Sequence, residues 1–145
     1  MNIQEISDTL EIQNLGYRFA DAANRKDYAA FKALWAQSGV WHIGAPINMH
    51  FEGRETIGHA IERMLGLWEF FIQLPHAPVI ALAGETATAR WTVMEEARTT
   101  DGKKGNLNLS FYEDQLIKEG GEWLFQKRSY TTRYADESPL AGHSL

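Results

Sequence analysis

Few side chains in this sequence can move a proton near neutral pH. Five histidines, His42, His50, His59, His76 and His143, carry the one side chain whose unperturbed pKa lies close to 7. There is no cysteine, which excludes a thiolate nucleophile, thiolate metal ligands and disulfides together. The histidines show no ligand-like spacing along the chain and no carboxylate cluster joins them, so no structural metal is expected. His76 follows Pro75 and precedes Ala77-Pro78, a position at a strand start where a backbone carbonyl is an ordinary partner for the ring. His42 follows Trp41 on a short strand, at a pocket mouth or at the surface. Asn24 stands before Arg25-Lys26 near the end of the first helix, where Asn makes a good C-cap and the basic pair suits the dipole. Arg128 alternates with Gln126 and Tyr130 and can pair with Glu113 or Asp114 on the adjacent strand. Of the neighbours Glu95 and Glu96, strand alternation turns only one inward. The motifs GxxxxGKS/T, GxGxxG, GxSxG and HExxH are absent, which removes support for nucleotide hydrolysis and zinc proteolysis.

Composition narrows the partners. The 145 residues are 44% hydrophobic and 12% aromatic, enough for one sizeable core and one domain. Fourteen basic against nineteen acidic residues give a net charge of −5, which repels phosphate backbones and anionic lipid surfaces. Neither nucleic acid nor a membrane is an expected partner. The opening MNIQEISDTLEIQ has no basic stretch followed by an apolar run, and Met64 to Leu74 is too short to span a bilayer and contains Glu69. A cytoplasmic location is the default expectation.

The elements that must position these groups follow from periodicity. Ile3, Ile6, Leu10, Ile12, Leu15, Phe19, Ala22 and Ala23 recur at helical steps, with Asn2 and Glu5 spaced for a capping box. A second helix fits Asp27 to Ala36, ended by Ser38-Gly39. Val40 to Ile43 reads as a strand, and Met49 to Glu52 as the arm that pairs back on it. Ile57, Ile61, Met64, Leu65, Trp68 and Phe71 mark a third helix. Period two then predicts strands over 77–83, 86–99, 107–118 and 123–133, joined by Gly-rich hairpins. The domain is expected over residues 1–134, with a tail at 135–145 that is loose or laid across something. This order predicts an α+β fold: three helices packed on one face of a strongly curved antiparallel sheet. Such a sheet commonly encloses an apolar pocket, and Tyr17, Trp41, Trp68, Trp91, Phe111 and Tyr112 are the aromatics available to line it or fill the core.

The segments LEIQNLGYRFADAANRKDYAAFKALWA, VWHIG, GETATARWTV, YEDQLIKEGGEWLFQKR and SPLAG, in that order, resemble the SnoaL-like branch of the NTF2-like superfamily over nearly the whole chain. The resemblance implies a cystatin-like cone with a deep pocket, and it is nearest to the scytalone dehydratase and hexachlorocyclohexane dehydrochlorinase group. In that group a His at the start of the first long strand pairs with an Asp at the end of the first helix. The His matches His76, and the Asp position falls on Asn24. An arginine of the dehydrochlorinase matches Arg128, and its first-helix lysine falls on Phe19. The implied activity is a cofactor-independent lyase or isomerase acting on an apolar cyclic substrate. His76 would remove a proton, Asn24 would orient the ring, and Arg128 or a pocket Tyr would stabilise the developing anion. Asn supplies no countercharge, so Asp21, Glu95 or Glu96 would have to replace it. The rival readings are a non-catalytic ligand-binding protein and a subunit-type module resembling the small subunit of ring-hydroxylating dioxygenases. The resemblance also implies a homodimer or homotrimer.

Overall fold

In the computed structural model, which describes all 145 residues, Asn2 and Glu5 form the reciprocal capping box that starts helix α1 (Ile3–Arg25). The helix ends at Lys26, not at Asn24, through a left-handed C-cap. Helix α2 (Tyr28–Ala33) is capped by Asp27 and stops short of Ala36, because strand β1 (Trp35–Ile43) already begins at Trp35. Strand β2 (Met49–Glu52) pairs back antiparallel on β1, and Gly53 at φ 90° leads into helix α3 (Arg54–Leu65). The sequence periodicity predicts a third helix that reaches Phe71. Gly66 ends it instead, and Trp68 and Phe71 belong to strand β3 (Trp68–Pro75), where a bulge near Glu69 lets two residues three apart line the same cavity, a pattern that imitates a helix.

Strands β4 (Val79–Ala83), β5 (Thr86–Thr99), β6 (Gly105–Glu119) and β7 (Glu122–Asp136) form the expected hairpins. The sheet order is β2-β1-β7-β6-β5-β3, with β4 also paired to β5. The β1–β7 pair is parallel, a departure from an all-antiparallel sheet that places Trp41 beside Arg128 and His42 beside Ser129. β3 and β4 share one edge of β5 in succession: β3 pairs with residues 93–99 and β4 with 86–90.

The helices cover one face of this sheet. Along β5, Ala87, Ala89, Trp91, Val93, Glu95 and Ala97 are buried on that face, as period two requires. Phe19 of α1 packs against Phe31, Trp35, Trp41, Tyr112 and Phe125 with ring centroids 4.7–6.2 Å apart, which joins helices and sheet in one aromatic core. Gly16 lets α1 approach β5, since a Cβ there would overlap the Trp91 ring. Gly16→Val is therefore expected to destabilise the protein by about 1–3 kcal/mol through overpacking, measured as a lower urea midpoint.

After Asp136 the tail is held by backbone contacts. Gly105 donates to the Glu137 carbonyl, and Arg98 donates to the carbonyls of Leu140 and Gly142. Arg98 also grips Glu69 in a two-point ion pair at 2.7 and 2.9 Å, so one guanidinium ties β5, β3 and the tail. The tail is a strap across this end of the sheet. No helix is long and apolar enough to cross a membrane.

Candidate functional site

Between the helices and the inner sheet face lies an apolar cavity of about 90 Å³. Phe19 and Ala23 of α1, Ile61, Met64 and Leu65 of α3, and Trp41 and Ile43 of β1 form much of its wall. Trp68 and Phe71 of β3 complete the apolar part, and Ile47 stands exposed at the rim. Five polar side chains line the same space: Gln73, Glu95, Asn106, Tyr112 and Tyr130. Broader concavities elsewhere, such as the one between Arg90, Glu113, Gln115 and Lys127 on the outer sheet face, are mostly polar and give an apolar molecule little desolvation.

Glu95 is the group in this cavity with chemistry to offer. It is buried, and Gln73 donates from Nε2 to its Oε1 at 2.7 Å. Its polar neighbours Gln73, Tyr130 and Asn106 are all uncharged, so burial dominates and pushes the carboxyl above its ordinary value of 4.5. The Tyr130 hydroxyl is buried and makes no well-formed hydrogen bond although it lies near Glu95 and Ser110. Burial raises the Tyr112 and Tyr130 phenols as well, so both remain neutral donors. The indole N–H of Trp41, another lining residue, is buried without a partner. A carboxyl beside neutral donors in an apolar space can accept a proton as carboxylate and return it as the acid while water is excluded.

The structure corrects the expected dyad. His76 lies in the link between β3 and β4, exposed, with its backbone N–H donating to the Thr92 carbonyl and its ring outside the cavity lining. The reason is strand parity: Gln73 faces inward, and a residue three further along points to the other side. Asn24 does not orient His76. Its Nδ2 donates to the Gln73 carbonyl at 3.0 Å and its Oδ1 accepts from the Gln73 N–H at 2.7 Å, which docks the end of α1 on β3 as a strand partner would. Restoring the carboxylate at this position is expected to weaken the fold. Asn24→Asp replaces the donor with an oxygen facing a carbonyl, and a loss of about 1–3 kcal/mol in urea unfolding is expected.

Arg128 is also reassigned. It is fully buried but does not line the cavity; it donates to Asp114 at 2.8 and 3.3 Å, and its guanidinium lies 3.8 Å from the Tyr112 ring centroid and 4.3 Å from that of Phe19. Neutralised by Asp114, it supports the cavity floor from below and has no free charge for a ligand. Burial pushes the Asp114 carboxyl up, and Arg128 opposes that shift. Trp91 completes this cluster, donating from Nε1 to Asp114 at 2.8 Å, and so belongs to the core beneath α1.

Of the remaining aromatics, Phe19, Trp41, Trp68 and Tyr112 are brought together at the cavity, while Tyr17 and Phe111 are not. Tyr17 is partly exposed on α1 with its ring edge-to-face on Trp91. Phe111 lies on the outer sheet face beneath Arg133. Asp21 is exposed and paired with Arg25, and Glu96 is on the face opposite Glu95. Neither Gln73 nor Tyr130 carries a sequence pattern that marks it as a site residue. Gln73 has no charge to draw notice, and its inward position becomes visible once β3 is read as a strand in register with Glu95.

The profile of the SnoaL-like domain matches residues 4–129. No curated protein matches the chain. Among solved structures, a hexachlorocyclohexane dehydrochlorinase (LinA) type 2 superposes with a TM-score of 0.87 at 16% identity, covering 100% of this chain and 97% of that one. A Novosphingobium aromaticivorans protein carrying the provisional name scytalone dehydratase gives 0.85 at 14% identity, with 100% of both chains covered. An NTF2-like protein with a cystatin-like fold from the same species gives 0.77 at 19% identity, covering 90% of this chain and 84% of the other.

Proposed function

This chain belongs to the SnoaL-like domain family with the NTF2-like, cystatin-like fold, and from that premise we propose that it is a small-molecule lyase or isomerase using acid–base chemistry. The observation that carries the reading is Glu95, a buried carboxyl with no cationic partner on the wall of an apolar cavity. A carboxyl in that setting works closer to neutral pH than an exposed one, where general catalysis is most effective. As carboxylate, Glu95 takes a proton from a substrate carbon, and the C–H electron pair becomes a new C=C bond while the adjacent carbonyl π pair moves onto its oxygen or the C–O bond of a neighbouring hydroxyl breaks. The resulting carboxyl then returns the proton, either to another carbon of the same molecule or to a departing hydroxyl that leaves as water. Gln73 holds Glu95, and the unpartnered Tyr130 hydroxyl beside it is placed to donate to the developing oxyanion or leaving group. These steps involve no net oxidation or reduction, so the proposal requires no cofactor. The 90 Å³ volume limits the enclosed part of the ligand to about one small ring or less, since an engineered cavity of about 150 Å³ accommodates benzene.

The test is deuterium exchange. Small cyclic ketones and hydroxyketones incubated with the protein in D₂O should gain deuterium next to the carbonyl, read by proton NMR, and Glu95→Gln should abolish the gain. Binding without exchange supports the second reading, a ligand-binding protein, which is favoured by the engagement of Asn24 with backbone rather than with a base. Self-association as a dimer or trimer is part of the proposal. Leu74, Met94, Leu109 and Tyr134 lie in register across four strands on the outer face, with Leu74, Leu109 and Tyr134 exposed.

A further inference from the structure

The hairpin of β1 and β2 brings together two histidines that the sequence keeps eight positions apart. His42 and His50 are directly opposed in register, both side chains are exposed, and their Nδ1 atoms face each other at 3.3 Å. On the far side of His50, Nε2 lies 3.0 Å from Glu52 Oε1. Neither contact involves the cavity or Glu95.

With both rings neutral, this geometry fixes their tautomers. A carboxylate accepts, so the Glu52 contact places the His50 proton on Nε2 and leaves a lone pair on Nδ1. That lone pair points at His42 Nδ1, and in the free protein the contact is closed by a single proton carried by His42. Two imidazole nitrogens each about 2.05 Å from a tetrahedral metal ion stand about 3.3 Å apart, which is the separation found here. A carboxylate holding the outer N–H of a ligating imidazole is also the usual outer-sphere arrangement at histidine metal sites, where it fixes tautomer and ring orientation. No third histidine or acidic side chain joins as a ligand, and the exposed position leaves the other coordination sites to water.

We propose that His42 and His50 form a two-histidine site for a divalent transition metal ion of the zinc type, positioned by Glu52. On binding, His42 moves its ring proton from Nδ1 to Nε2 and both Nδ1 lone pairs turn to the ion, with water completing the shell. Imidazole nitrogen suits zinc, nickel and copper and disfavours calcium and magnesium. The pair brackets the loop 44–48, whose Ile47 stands at the cavity rim, so an ion here would pin the hairpin that carries part of the cavity wall.

The experiment is a calorimetric titration of chelator-treated full-length protein with zinc sulfate, with magnesium sulfate in parallel. One zinc per chain is expected, with no magnesium binding. His42→Ala and His50→Ala should each weaken zinc binding by at least about tenfold. Glu52→Gln should weaken it by about tenfold, the lower end of the range for outer-sphere partners. His59→Ala and His76→Ala should leave it unchanged. All these side chains are exposed, and matching thermal melts would confirm that each variant is folded. Absence of zinc binding, or binding that survives both His42→Ala and His50→Ala, would overturn the proposal.

Discussion

Replacing Arg128 with Met should destabilise the protein by about 3–5 kcal/mol, because it leaves the buried Asp114 carboxylate without its counter-charge. Only the Trp91 indole would still donate to that carboxylate. The guanidinium also fills the space between Phe19, Tyr112 and Phe125, so packing is lost along with charge. The deficit should depend on pH. Without Arg128 the Asp114 pKa, already pushed up by burial, rises further. A group raised in the folded state contributes its stability below its unfolded value, here 3.8, and loses it as pH climbs through the folded value. The variant should therefore lie closer to the parent in acid and fall further behind toward pH 7, as read from urea midpoints. The double variant Arg128→Met with Asp114→Leu should recover a large part of the loss, since no charge then remains buried. Recovery should be incomplete, because the Trp91 N–H loses its acceptor.

The second large effect is expected at Glu95. Glu95→Gln keeps the size of the side chain and an oxygen for the Gln73 amide to donate to, yet cannot exchange a proton. Proton transfer by a positioned group is worth about 10²–10⁴ in rate, and a loss of that order is expected for any substrate the parent turns over. Ligand affinity should change far less. Stability should move in the opposite direction to activity at neutral pH. Because the folded pKa of Glu95 lies above 4.5, its contribution to stability is complete below 4.5 and declines as pH rises through the folded value. The amide has no such decline. Relative to the parent, Glu95→Gln should gain stability between mildly acidic and neutral pH, measured by urea unfolding across that range.

How much of this was legible beforehand depended on how local the determining contacts are. The Asn2–Glu5 capping box and the turns at Gly84, Asp101-Gly102 and Gly120-Gly121 involve residues a few positions apart, and their elements formed as read. The parallel pairing of β1 with β7 joins residues about ninety positions apart, and no local signal marks it. The spacing of Trp68 and Phe71 predicts helix where β3 forms, because the bulge near Glu69 disturbs the alternation. The difference extends to the site. With β3 in place, parity puts Gln73 inward and His76 outward, and Asn24 meets the Gln73 backbone instead of an imidazole. Glu95 was within reach of the sequence as one of two adjacent carboxylates of which strand alternation turns one inward; which one required the register of β5 against β3. Arg128 and Asp114 were visible as a cross-strand pair, and the structure places that pair in the core instead of at a ligand.

Carboxyl carbon-13 NMR tests directly whether Glu95 is a protonatable group tuned by its cavity. In protein labelled at glutamate side chains, the Glu95 resonance, assigned by its absence in Glu95→Gln, should titrate above 4.5, the direction set by burial without a cation. A midpoint at or below 4.5 would mean that the carboxyl is solvated or paired in solution, and the acid–base role assigned to this cavity would fall.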